Sequence, residues 1–146
     1  MDAIVIYESL TGNTRKAGEA IAGQLTAAGV PTVACPITAV DYGALSRAEL
    51  VVVGSWVDGF IVVGQRPGRI GRIENMPALA GKKAAVYVSY AINPGKALQK
   101  LSDAVADRGA DVLGGTTIRR DRIDQGVTDF VDRLLGAITH DSGASA

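Results

Sequence analysis

Short apolar runs alternate with amphipathic stretches along nearly the whole chain. The apolar runs are rich in β-branched residues and lack a polar–apolar alternation, which is typical of parallel strands covered on both faces. Five such runs predict strands: Ala3–Tyr7, Thr32–Ile37, Leu50–Val53, Ala84–Ser89 and Asp111–Ile118, the last weakened by Gly114 and Gly115.

The amphipathic stretches between and after these runs have helical spacing. One helix is predicted from about residue 14 to 28, where Gly29 and Pro31 stop it. A second opens at Pro94 or Gly95 and closes at Gly109. In the last helix, apolar residues recur at i, i+3, i+4, i+7, i+8 and i+11: Val127, Phe130, Val131, Leu134, Leu135 and Ile138.

Regular alternation of strand and helix predicts an α/β fold of three layers, a five-stranded parallel sheet with helices on both faces. The 146 residues suit one domain. We assign it to residues 1–139 and expect the small, polar residues 140–146 to be a disordered tail. Ligands of such sheets bind outside the carboxyl ends of the strands. The least regular stretch, residues 54–81, is where a ligand loop is expected.

Composition narrows the function classes. Lys plus Arg equals Asp plus Glu at 15 each, so no general attraction to nucleic acid or anionic membrane is expected. Cys35 and His140 are the only residues of their types, which excludes an intramolecular disulfide and argues against histidine triads and zinc sites. No apolar stretch approaches the ~20 residues of a membrane span. No basic region precedes the first apolar run, so we expect a cytoplasmic protein.

The turn after the first strand is rich in hydroxyls and leads into a helix. Its residues, Ser9 to Thr14, read Ser-Leu-Thr-Gly-Asn-Thr. Helix-start amides and hydroxyls together suit a terminal phosphate monoester held without lysine or metal. The simpler interpretation is that Thr11 or Asn13 only caps the helix. Neither a Walker A loop nor the Rossmann glycine pattern is present.

This turn resembles the phosphate signature of the flavodoxin family, Ser/Thr-x-Thr-Gly-x-Thr, and the resemblance extends from residue 3 to about 139. It implies a short-chain flavodoxin fold with flavin mononucleotide (FMN) as cofactor. The implied phosphate-binding residues are Ser9, Thr11, Gly12, Asn13 and Thr14.

In the family, two further loops sandwich the isoalloxazine ring. The resemblance places the first at Ser55, Trp56, Val57, Asp58 and Gly59, and the second at Ser89, Tyr90, Ala91, Ile92 and Asn93. Trp56, the only tryptophan, stands where the family often stacks an aromatic on the flavin; alternatively it caps the core beneath the loop. Ile92 stands where the outer stacking aromatic is often found, which predicts a more exposed outer face.

Two departures weaken the electron-carrier interpretation. Flavodoxins commonly have a glycine where Val57 stands, and a peptide there flips to bond the reduced ring. A β-branched residue resists such a flip, unless Asp58 and Gly59 supply it instead. Typical flavodoxins are also strongly acidic, whereas this chain is neutral.

The stretch from residue 60 to 72 has no counterpart in the resemblance. It is apolar and then basic, with Arg66, Arg69 and Arg72 three apart. The arginines form a solvated face, or they contact a phosphorylated cosubstrate or an acidic partner. The apolar part is a buried loop, a dimer contact or a pocket wall.

Three functions stay open from the sequence. The favoured one is an FMN-binding redox protein that transfers electrons to a partner protein or small-molecule acceptor. The second is an FMN-dependent reductase acting on quinones or resembling protoporphyrinogen oxidases. The third is a flavin-free binding module on the same fold. No catalytic base, nucleophile or metal ligand is assigned.

Overall fold

The computed structural model describes residues 1–9, 12–58, 66–67 and 70–145, without the side chains of 58, 66, 67, 70 and 140–145. Its centre is a parallel sheet in the order β2-β1-β3-β5-β6. The strands are β1 (Ala3–Tyr7), β2 (Thr32–Pro36), β3 (Leu50–Asp58), β4 (Arg66–Pro67), β5 (Lys83–Tyr90) and β6 (Asp111–Arg119). The two-residue β4 lies off this order and pairs antiparallel with the end of β3. The predicted five-stranded parallel sheet is confirmed.

Helices cover both faces of the sheet. They are α1 (Asn13–Ala27), α2 (Tyr42–Arg47), α3 (Ile70–Glu74), α4 (Ala97–Asp107) and α5 (Ile123–Ser145). Apolar residues of α1 and α5 pack in one core cluster, and those of α2, α3 and α4 pack in the other. Successive residues of β1 alternate between the two: Ile4 and Ile6 face one cluster and Val5 faces the other. All three are fully buried, which is why the apolar runs show no alternation.

The structure contains short elements that the periodicity did not predict. Helix α2 has six residues and begins where the Asp41 carboxylate accepts a hydrogen bond from the Ala44 amide at 2.9 Å. Helix α3 and strand β4 lie within the stretch expected to be irregular. Strand β3 runs five residues past its predicted end at Val53.

The domain boundary predicted at residue 139 lies inside helix α5. Helix α5 runs on to Ser145, so residues 140–145 continue the helix beyond the boundary drawn at 139. Extending a formed helix fixes only one residue for each new hydrogen bond, and no proline interrupts this segment. Polar composition alone therefore placed the end of the helix too early.

Candidate functional site

The turn between β1 and α1 is shaped by Gly12 and Ser9. Gly12 has φ +94°, a left-handed conformation that favours glycine. The Ser9 hydroxyl accepts hydrogen bonds from the amides of Gly12 at 3.2 Å and Arg15 at 3.3 Å. The first turn of a 15-residue helix thus opens at the carboxyl edge of the sheet, with its partial positive charge directed there. Thr11 lies outside the described residues.

Thr14 links this turn to the end of β5. Its side chain is buried, and its hydroxyl lies 2.8 Å from the hydroxyl of Ser89, which is also buried. A hydroxyl is at once a donor and an acceptor, so either group can donate in this bond. When Ser89 donates, the Thr14 proton is available for another acceptor. The two predicted binding segments are therefore joined directly.

Tyr87 on β5 also contacts the turn between β1 and α1. Its hydroxyl donates to the Thr14 carbonyl at 2.8 Å, and the ring is fully buried. Burial raises the pKa of the Tyr87 phenol far above its usual value, so the group stays a protonated donor. A Cβ at Gly54 would overlap the ring, and one at Gly18 would lie 2.7 Å from the hydroxyl. Two glycines thus make the space that Tyr87 fills.

Alanine substitutions on α1 test this packing. Gly23→Ala is expected to raise the free energy of unfolding by about 0.5–1 kcal/mol, because its Cβ meets no neighbour within 4 Å. Gly18→Ala is expected to lower it by about 1–3 kcal/mol, because its Cβ presses on the Tyr87 hydroxyl. Urea denaturation measures both. The loss should shrink in a Tyr87→Phe background; equal stabilisation by both alanines would contradict the proposed contact.

The first predicted flavin loop begins as strand, not loop. Ser55, Trp56, Val57 and Asp58 are the last four residues of β3. The ladder with β5 continues until Trp56 faces Ser89, which brings the two predicted flavin segments side by side. Ser55 is buried, with its hydroxyl 3.5 Å from the Trp56 carbonyl. Gly59 and the side chain of Asp58 lie outside the described residues.

The peptide at Val57 is held in a second ladder. Val57 pairs with Pro67 and Asp58 pairs with Arg66, both antiparallel. An extended, paired backbone resists a peptide flip, as the β-branched side chain of Val57 does. The pairing with β4 therefore restrains the same peptide that valine, in place of the family's glycine, already restrains at Val57.

An open cavity of about 150 Å³ lies between the ends of β3 and β5. Because Asn13 and Ser89 belong to it, the cavity adjoins the β1–α1 turn. Its walls are Asn13, Trp56, Val57, Ser89, Tyr90, Ala91 and Arg120. The Arg120 amide donates to the Tyr90 carbonyl at 2.9 Å, which fixes the segment after β6 beside this cavity.

Ile92 and Asn93 of the second predicted loop are not among the described residues that line this cavity. Ile92 is 85% exposed. The Asn93 side chain accepts from the Gly95 amide at 2.9 Å and shapes the turn before α4.

The family follows from the sequence together with this fold. The protein-family model described as "Flavodoxin domain" matches residues 4–142 of the sequence. The chain belongs to the flavodoxin family. Family membership implies FMN as its cofactor. No protein with a curated description matches the chain significantly.

Solved flavodoxin structures share the fold. Two-electron reduced flavodoxin from Megasphaera elsdenii superposes with a TM-score of 0.71 at 20% identity, over 88% of this chain and 95% of that chain. Oxidised Flavodoxin 1 from Bacillus cereus also gives 0.71, at 21% identity, over 96% and 99%. A flavodiiron core from Synechocystis gives 0.64 at 21% identity, over 94% of this chain and 36% of that chain. At these identities the likeness concerns the fold.

The donor set of this flavodoxin-family chain fits FMN. A helix start, a glycine at positive φ and the hydroxyls of Ser9 and Thr14 suit the phosphate, and the aromatic residues Trp56 and Tyr90 are among those that line the adjoining cavity. In the part of the chain that the structure describes, no cluster of three or more acidic, histidine or cysteine side chains can hold a metal. No helix among the described residues is long and apolar enough to cross a membrane.

The structure adds two charged groups near the site that the sequence did not assign: the Glu8–Arg72 ion pair and Arg120. Glu8 is buried directly before the phosphate turn, and Arg72 reaches both of its carboxylate oxygens at 3.2 Å. Arg72 of the unassigned basic stretch thus has an intramolecular role, while the side chains of Arg66 and Arg69 lie outside the described residues. Arg120 is the second addition. The basic run Arg119-Arg120-Asp121-Arg122 straight after the fifth predicted strand was the available signal.

Proposed function

We propose that this flavodoxin-family chain binds FMN at the carboxyl edge of its sheet and transfers electrons to a redox partner. The strongest support is the hydrogen bond between Thr14 and Ser89, because it joins the turn between β1 and α1 to the wall of the cavity. When bound, FMN supplies exchange of one or two electrons.

The residues of the chain divide the binding task between two regions. Ser9, Gly12 and the first turn of α1 hold the phosphate with backbone amides and hydroxyls, which provide donors without a lysine. Trp56 and Tyr90 flank the ring, with Trp56 half-buried at the end of β3. The proposed contacts of Asn13, Val57, Ser89 and Ala91 rest on their place in the cavity wall.

Titration of the apoprotein with FMN tests the binding. Trp56 is the only tryptophan, so its fluorescence has a single source, and saturable quenching is expected as the flavin stacks on the indole. Trp56→Leu is expected to weaken FMN about tenfold, from loss of an aromatic contact of about 0.5–1.5 kcal/mol and its buried area. Flavin fluorescence measures affinity in this variant.

Tyr42→Leu is the matched control, because it removes an exposed aromatic ring on the β2 side of the sheet. It should leave FMN affinity unchanged. Absence of quenching and of FMN binding in the wild-type chain would remove the electron-transfer proposal and leave the flavin-free module.

The second candidate is an FMN-dependent reductase. The β4 ladder favours it, because it restrains the peptide at Val57 that would flip in an electron carrier of this family. Turnover of a quinone by NADPH or NADH, measured on the FMN-loaded protein, separates the two. Sustained turnover without a partner protein supports the reductase, and reduction only through an added electron-transfer protein supports the carrier.

A further inference from the structure

Charge is segregated in this neutral chain. From Ser89 to Ser102 the sequence contains Lys96 and Lys100 and no carboxylate. This segment follows β5 at the carboxyl edge of the sheet. A net charge of zero therefore conceals a local excess of cations at the edge where the proposed FMN site lies.

The segment after β6 adds to this excess. A surface cavity of about 550 Å³ is lined by Lys16, Arg120 and Arg122, together with Asp121 and Asp124. We call the three exposed cations the basic rim. Arg120 also lines the proposed FMN cavity, so the rim borders it directly.

The carboxylates beside the basic rim offset it only in part. Asp121 lies 3.1 Å from Arg119, so a further arginine already pairs with it. Asp124 stands in the first turn of α5, where it interacts favourably with the helix dipole. Four cations, the rim and Arg119, thus face two carboxylates in this region.

An apolar contact lies on the same edge. Ile92 follows β5, is 85% exposed, and belongs to a segment whose charged neighbours are lysines. A single exposed apolar side chain carries no signal by itself, but a protein partner that covers the cations beside Ile92 also covers Ile92. A small anion would use the cations and leave Ile92 in water.

We propose that the basic rim and Ile92 dock a redox protein that presents carboxylates around its own electron-accepting group. The proposal rests on the proposed electron-transfer function and specifies its partner class. It gives this chain the opposite charge preference from the acidic surface typical of flavodoxins. Attraction between unlike patches steers encounter, raising association rates roughly 10- to 1,000-fold at low salt.

Horse cytochrome c and its fully succinylated form are suitable probes. They carry the same haem, but succinylation replaces the charge of each lysine with a carboxylate. FMN-loaded protein, reduced by dithionite with two electrons, gives one electron to each of two ferric haems, and the protons of the reduced flavin pass to solvent. Stopped-flow absorbance follows formation of ferrous haem.

Succinylated cytochrome c is expected to react at least tenfold faster than the native form at 10 mM ionic strength, where charges act over about 30 Å. At 0.5 M the two rates should converge. Arg122→Gln should slow the succinylated form about threefold at low salt, whereas Lys16 is left intact because it lies in the first turn of α1, which is proposed to hold the phosphate. Arg120 is left intact because it also lines the proposed FMN cavity.

Arg47→Gln is the matched control. It removes one exposed arginine at the end of α2, just before β3 begins and so at the opposite edge of the sheet. It should leave the rates unchanged, and FMN affinity should stay constant in both variants. Faster reaction with native cytochrome c, or equal rates with both forms, would overturn the docking proposal while FMN binding stands. Failure to bind FMN at all would instead overturn the proposed function.

Discussion

Gly54→Ala is expected to destabilise the protein more than any other single methyl addition that we consider. Its Cβ would overlap the Cζ, Cε1 and Oη atoms of Tyr87. Neither group has room to move, because β3 lies between β1 and β5 and the Tyr87 ring is fully buried. We expect a loss at or above the upper end of the about 1–3 kcal/mol typical of overpacked cores, measured by urea denaturation.

Gly114→Ala provides the control on a neighbouring strand. Gly114 lies in β6 opposite Ala85 of β5, and a Cβ there meets nothing within 4 Å. It should be neutral or stabilise by up to about 1 kcal/mol. Combining Gly54→Ala with Tyr87→Ala should cost less than the sum of the two single losses. Simple additivity would show that the glycine serves some purpose other than making space for Tyr87.

The consequence of Gly54→Ala should reach the ligand site as well. The Tyr87 hydroxyl donates to the Thr14 carbonyl, and Thr14 lies in the first turn of α1, which is proposed to bind phosphate. A ring displaced by the new methyl group would release that hydrogen bond. The space that Gly54 leaves for the Tyr87 ring therefore also determines the shape of the turn between β1 and α1.

Strands and long helices were predictable because each buries a repeating set of side chains. Val5 and Val52 need only their neighbours in sequence to show that they lie in covered strands. Helix α2 was not predictable in this way, since six residues are too few for a helical period to appear. The end of β3 was missed because Gly54 and Ser55 interrupt its apolar run, although pairing with β5 keeps the strand extended to Trp56.

In the candidate site, too, features carried by contiguous residues were predictable and those that depend on distant contacts were not. The phosphate turn was found because its residues are contiguous, and the family resemblance added both flavin segments. Tyr87 and Arg120 were not found, since their roles depend on partners distant in sequence. Tyr87 bonds a residue 73 positions earlier, and Arg120 meets the cavity only through the β5–β6 pairing. The Tyr87 contact has no local signature in a single sequence, whereas the basic run after the fifth predicted strand hinted at Arg120.

Thr14→Val is expected to separate the two roles of the Thr14 hydroxyl. Valine keeps the shape and removes the group that bonds Ser89 and is proposed to donate to the FMN phosphate. Hydrogen bonds to charged groups are worth about 1.5–3 kcal/mol, so FMN affinity should fall roughly ten- to hundredfold. Riboflavin has the same ring and side chain without the phosphate, and its affinity should change less than about threefold, which is at the lower end of the ~0.5–1.5 kcal/mol of a neutral bond. Calorimetric or fluorescence titration measures both.

Thr14→Ser retains the hydroxyl and is the control: both affinities should stay near those of the wild type. A displaced Ser89 would weaken FMN and riboflavin alike, because both ligands place the same ring beside β5 in the proposed site. The ratio of the two affinities therefore isolates the phosphate contact from the indirect effect. An equal loss for both ligands would mean that Thr14 acts only by positioning Ser89, and that backbone amides and the hydroxyls of the remaining turn residues hold the phosphate.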